Sequence, residues 1–192
     1  MVRFLAFIGF IGIVVAVAAA AFFFGGFYNI AATEEDPSLV KSALIQVRQA
    51  SIARHATEAP PSGFDAPAQV EAGARAFATR GCINCHGGPD VEWAKWSEGL
   101  RPDPPDLKEV APNRPPSELF WIVKNGINMT AMPSFGAVGV EDKEIWSIVG
   151  FLRKLPTVKP EEFKTWTAGV PTATTPAPAL APAPATTPAP AQ

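Results

Sequence analysis

Hydrophobic positions divide the chain into segments of different character. Residues 4–24, "FLAFIGFIGIVVAVAAAAFFF", are apolar without a break. As a helix, these 21 residues at about 1.5 Å each reach about 31 Å, the thickness of a bilayer core. Val40, Ala43, Leu44, Val47 and Ala50 then recur at helical spacing. They predict a helix over 37–56, with Asp36 at its cap and Pro37 in its first turn. "APPSGFDAP" (59–67) interrupts the pattern and reads as a linker.

Three more helical patterns follow. Over 68–80, Val70, Gly73, Ala74 and Phe77 share one side. "ELFWIVKN" forms the next, with Ser117 as its expected cap and Gly126 as its end. The last runs over 141–155, with a stripe of Ile145, Trp146, Val149 and Leu152, and stops at Pro156. Strand-like alternation is missing, so the expected fold is all-α with long loops. Residues 157–170 are a C-terminal extension. Residues 171–192 are uncharged Ala, Pro and Thr for the most part, a composition expected to stay disordered and partly polyproline II.

Charge orients this layout. Arg3 and the terminal amine precede the apolar run, while Glu34, Glu35 and Asp36 follow it. The positive-inside bias therefore places the N-terminus in the cytoplasm and the rest across the membrane. A cleaved signal peptide ending near Ala31–Ala32 is the rival, but signal cores run about 7–15 residues and this one is longer. The reading is a retained anchor (1–27), a tether (28–67), a main domain (68–156), the extension and the tail. The expected location is a bacterial inner membrane, single-pass, with the domain on the periplasmic side. Lys41, Arg48 and Arg54 are the only formal charges of the 37–56 helix. Its apolar stripe is expected to pack on the main domain with these three solvated; a basic face on anionic lipid or a partner enzyme is the alternative. A net charge of −2 with no basic tract excludes nucleic acid as a partner.

The chemistry is concentrated in "RGCINCHGGPD" (80–90), which holds both cysteines and one of the two histidines of the chain. A Cys82–Cys85 disulfide would close a tiny loop and stabilise little. Zinc lacks a second cysteine pair, with His55 the only spare imidazole, and thioredoxin-like chemistry expects a βαβ pattern. C-x-x-C-H is the attachment signature of c-type haem. Two thiols one helical turn apart can form thioethers with the two vinyl groups of one porphyrin, and His86 then lies beneath the iron as its proximal ligand. "NGINMTAMPSFG" (125–136) holds the two methionines other than the initiator. A thioether is the soft sixth donor found in cytochromes c. Met132, followed by a proline that stiffens its loop, is the expected ligand, and Met129 the reserve. His55 reads as a solvated residue. Trp93 and Trp96 either wall the haem edge or pack the long loop.

Residues 68–156 resemble the class I c-type cytochromes, small monohaem electron carriers with His/Met ligation. The resemblance implies that Gly73 and Phe77 cross the last helix, with Trp146 as the facing aromatic. It implies a Pro-x-Leu loop, here Pro105 and Leu107 in "PPDL", whose proline carbonyl accepts the N–H of His86. Arg101 in "GLRPDPP" is a candidate for a haem propionate. The expected function is one-electron transfer by a single covalent haem c between respiratory redox partners, without catalysis. The partners are redox proteins or membrane complexes. Two alternatives stay open: a relay subunit of a larger membrane oxidoreductase, and a haem enzyme or gas sensor with a labile methionine.

Overall fold

The computed structural model describes residues 2–170, so the 171–192 tail lies outside the described residues. The chain divides into one unit up to Lys41 and another from Ser42. In the first unit, α1 runs Val2–Phe24, and its 23 residues carry no buried side chain. It is long and apolar enough to cross a membrane. Phe22, Phe23, Phe27 and Tyr28 cluster at its end, and of these Tyr28 is the type enriched at membrane–water boundaries. Helix α2, Ser38–His55, begins at the end of this unit and continues into the second.

The expected face of α2 is not the one buried. Ala43, Leu44, Val47 and Ala50 are exposed, and Val40 is half-buried. Ile52, 2% exposed, lies five residues on from Val47, about 140° around the helix. On its side Gln49 accepts a hydrogen bond from Arg114 at 3.0 Å, and the His55 ring stacks 6.1 Å from Trp121. That face wins because it offers a large aliphatic side chain together with partners for two polar ones. Lys41 and Arg54 are exposed, as expected, and Arg48 is half-buried.

The second unit is built on a crossing of α3 (Pro67–Thr79) and α7 (Asp142–Lys154). Gly73 is where they meet: a Cβ there would lie 1.9 Å from the carbonyl oxygen of Ser147. The missing side chain lets the two backbones touch. Val70, Ala74 and Phe77 from α3, with Ile145, Ile148, Val149 and Leu152 from α7, fill the crossing. The ring facing Phe77 is Phe151, at 5.3 Å, and not Trp146. Trp146 stacks on Phe120 at 4.3 Å and meets Phe64 edge-on at 5.7 Å. The two α7 rings are five residues apart and therefore serve different neighbours.

Helix α4 is Cys82–His86 and α5 is Leu107–Val110. Helix α6 runs Pro116–Asn125, starting two residues before the Glu118 that a Ser117 cap would put first. Pro116, with no N–H to satisfy, starts the helix, so Ser117 sits inside it and caps nothing. Gly126 ends α6 as expected, at φ +70°. Pro156 falls in a short 3₁₀ turn after α7. The extension contains α8, Pro160–Trp166, which the pattern did not suggest. Its Phe163 is buried and stacks on Phe151 at 5.7 Å. Among the described residues there is no strand, only a Gly88–Val91 bridge.

Candidate functional site

One helical turn presents the chemistry. Gly81 enters α4 at φ +78° and Gly87 leaves it at φ +64°, conformations that favour glycine. A Cβ on Gly87 would lie 2.9 Å from the Val91 carbonyl. Ile83, buried between the cysteines, pins α4 to the core. Both thiols are free. Burial pushes the Cys82 thiol up to about 12 and raises Cys85 as well, so both are neutral thiols.

His86 is oriented by a backbone oxygen. Its Nδ1–H donates to the Pro105 carbonyl at 3.0 Å, which leaves the Nε2 lone pair free. Burial lowers its pKa, partly opposed by the Pro105 hydrogen bond and by Asp106. A neutral imidazole with one fixed nitrogen is the form that binds metal. Asp106 caps α5 by accepting from the Lys108 N–H at 2.8 Å, and Leu107 packs half-buried on the core. The Pro105–Leu107 loop is thus held at both ends.

Cys85, His86, Trp93, Ser97, Arg101 and Pro105 help line an open cleft of about 370 Å³, within the roughly 300–1,000 Å³ common for cofactor sites. The Arg101 guanidinium is engaged by Asp103 and by the carbonyls of Glu98 and Leu100. Trp96 is exposed and stands outside the lining. Cys82, Leu107, Met129 and Met132 also stand outside it. A neutral histidine, two thiols on one turn and an open, partly apolar cleft lined by Cys85 and His86 fit a porphyrin attached through sulfur.

The methionines lie in the segment after α6. Met132 packs half-buried against the core. Its carbonyl accepts from the Ile127 N–H at 3.2 Å, and its own N–H donates to Thr130 Oγ1 at 3.1 Å. Ser134 Oγ donates to the Lys124 carbonyl at 2.8 Å, and the Gly136 N–H does so at 2.9 Å. Gly126 permits this close return, since a Cβ would lie 2.8 Å from the Met132 carbonyl. Met129 is 80% exposed, at φ +59°. Thr130 and Ser134 as loop braces were not legible in the sequence; their spacing to the methionines carried no signal of its own. His55 is engaged by Trp121 and by the Ser51 carbonyl, 2.8 Å from Nδ1.

Residues 68–152 match the family model described as cytochrome C oxidase, cbb3-type, subunit III. The chain therefore carries a c-type cytochrome domain, a class defined by covalently bound haem c. No curated protein and no solved structure matches the chain.

Proposed function

We propose that the chain is a membrane-anchored one-electron carrier with a single haem c, attached through Cys82 and Cys85. Residues 1–27 are the retained anchor, 28–67 the tether and 68–156 the haem domain, held on the periplasmic side of a bacterial inner membrane. His86 is the proximal iron ligand and Met132 the distal one, with Pro105, Leu107 and Arg101 around the group. The observation that carries this reading is the His86 Nδ1 hydrogen bond to Pro105, which presents Nε2 as a donor beside two thiols.

The haem supplies a reversible ferric–ferrous couple. The residues keep that couple free of rearrangement. The carbonyl of Pro105 prevents the His86 ring from rotating. Thr130 and Ile127 hold the Met132 backbone, and Pro133 adds stiffness with no N–H to satisfy. Held in this way, His86 and Met132 would both stay on the iron as it changes oxidation state and would leave no site open for substrate. Met132 is favoured over Met129 because it is packed and braced, whereas Met129 points to solvent.

The test is optical. The haem-loaded protein is expected to show the weak red sulfur-to-ferric-iron band. Met132→Ala should lose it and gain rapid carbon monoxide binding in the reduced state, while Met129→Leu should keep it. A wild type without the band, binding carbon monoxide readily, would refute His/Met ligation and favour an enzyme or sensor. The family model's description favours a second reading, a fixed relay subunit of a larger membrane oxidase. Stoichiometric co-purification with other redox subunits in gentle detergent would select it over a free shuttle.

A further inference from the structure

Helix α2 turns one side to the domain and leaves another open. Gln49, Ile52 and His55 engage the domain. Ala43, Leu44, Val47 and Ala50 are left open, with Leu44 48% and Val47 66% exposed. An aliphatic stripe of this kind is unfavourable in water unless something covers it. We propose that lipid covers it: α2 lies along the surface of the membrane crossed by α1, with this stripe at the boundary between headgroups and acyl chains. The inference rests on the reading of α1 as a retained anchor.

Connectivity is the first argument. Thirteen residues, 25–37, separate the end of α1 from the start of α2. Fully extended they reach about 45 Å, so α2 cannot leave the neighbourhood of the bilayer. Charge is the second. Between Asp36 and Glu58 the formal charges are Lys41, Arg48 and Arg54, with no acid among them. Along α2 itself anionic headgroups would meet cations and no acid. Arg54 follows Val47 by seven residues and so lies on the same side, exposed. Its long stem can follow the apolar boundary while the guanidinium reaches the headgroups. The acids of the segment, Glu34, Glu35 and Asp36, precede the helix and leave the stripe unopposed. Gripped by the domain on one side and by lipid on the other, α2 would act as a strut that restricts how the haem domain can turn toward a redox partner.

The experiment uses the haem-loaded full chain in phosphatidylcholine–phosphatidylglycerol vesicles. A nitroxide is placed in turn on Val47→Cys, on Ser42→Cys as a site away from the stripe, and on Ile11→Cys within α1. Collision with oxygen and with a water-soluble nickel chelate then reports depth. The expected result is that the Val47 label is shielded from the chelate and relaxed by oxygen, as at Ile11, while the Ser42 label stays open to the chelate. A Val47 label as open as that at Ser42, with Ile11 still shielded, would overturn the inference and leave the anchor standing. Spin–spin broadening at Val47 that disappears on dilution with unlabelled protein would also overturn it, because a second copy would then be the cover. An Ile11 label open to the chelate would overturn the anchor, and the inference with it.

Discussion

Replacing Gly73 by alanine tests the crossing on which the haem domain is built. The added Cβ would lie 1.9 Å from Ser147 O, 2.5 Å from Ser147 C and 3.0 Å from Ile148 N. These are backbone atoms, so no rotamer change relieves the clash. Restoring an ordinary contact of 3.4 Å requires α3 and α7 to part by about 1.5 Å locally. A gap of even 0.5–1 Å forfeits roughly a quarter to a half of each dispersion well. The pairs affected join Val70, Ala74 and Phe77 to Ile145, Ile148, Val149 and Leu152. The Ser147 hydroxyl bond to Gln69, 2.7 Å long, spans the same crossing. Against this, alanine gains about 1 kcal/mol of helix propensity over glycine. Overpacking costs about 1–3 kcal/mol and occasionally more; against two rigid backbones a cost of about 3–4 kcal/mol is expected, a net loss of about 2–3 kcal/mol. For a domain of this size that lowers the melting temperature by roughly 8–24 °C. Thermal unfolding of the haem-loaded protein, followed by far-ultraviolet dichroism and the Soret band, measures it. Gly99→Ala, with no atom within 4 Å of the new Cβ, is the control and should change stability by less than about 0.5 kcal/mol. A Gly73→Ala protein melting within about 3 °C of the wild type would refute the close crossing.

Other perturbations separate strong from weak contributions. Phe163→Ala removes a buried ring stacked on Phe151 and seated over Gly88; denaturant unfolding should show a loss of about 3–5 kcal/mol. Glu144→Gln breaks the pair with Arg80, whose partners are 40% and 33% exposed, and chemical denaturation should register no more than about 1 kcal/mol. Cys82→Ala/Cys85→Ala, made without haem, should unfold with low cooperativity, because a domain of about 90 residues has a modest core of its own. A sharp, cooperative melt from that double variant would show the porphyrin to be dispensable for folding.

Local patterns made much of the haem domain legible. Every residue of the expected stripes of α3 and α7 is buried, because an amphipathic helix turns its apolar side to the core; α7, however, is buried on all sides from Ile145 to Leu152, so Ile148 and Phe151 lay outside the expected stripe. The end of α6 at Gly126 was readable for a similarly local reason: a positive φ favours glycine. The motif at Cys82, Cys85 and His86 was equally plain, since the spacing is the chemistry. Even the Pro105–His86 contact, suggested by resemblance across a long loop, is present.

What failed was choice among partners. Trp146 and Phe151 are both apolar and both on α7, and nothing local decides which one meets Phe77. Helix α8 is a single short element with one buried ring, too little for periodicity to register. The apolar stripe of α2 was visible, yet the domain took the opposite face because Arg114 and Trp121 were there to receive Gln49 and His55. By itself, then, the sequence determined where the main helices form, where the apolar span lies and where the Cys82, Cys85 and His86 motif falls, because these depend on spacing along one stretch of chain. Tertiary structure decided which faces meet and how closely backbones approach at Gly73, because these depend on atoms brought together from distant parts of the chain.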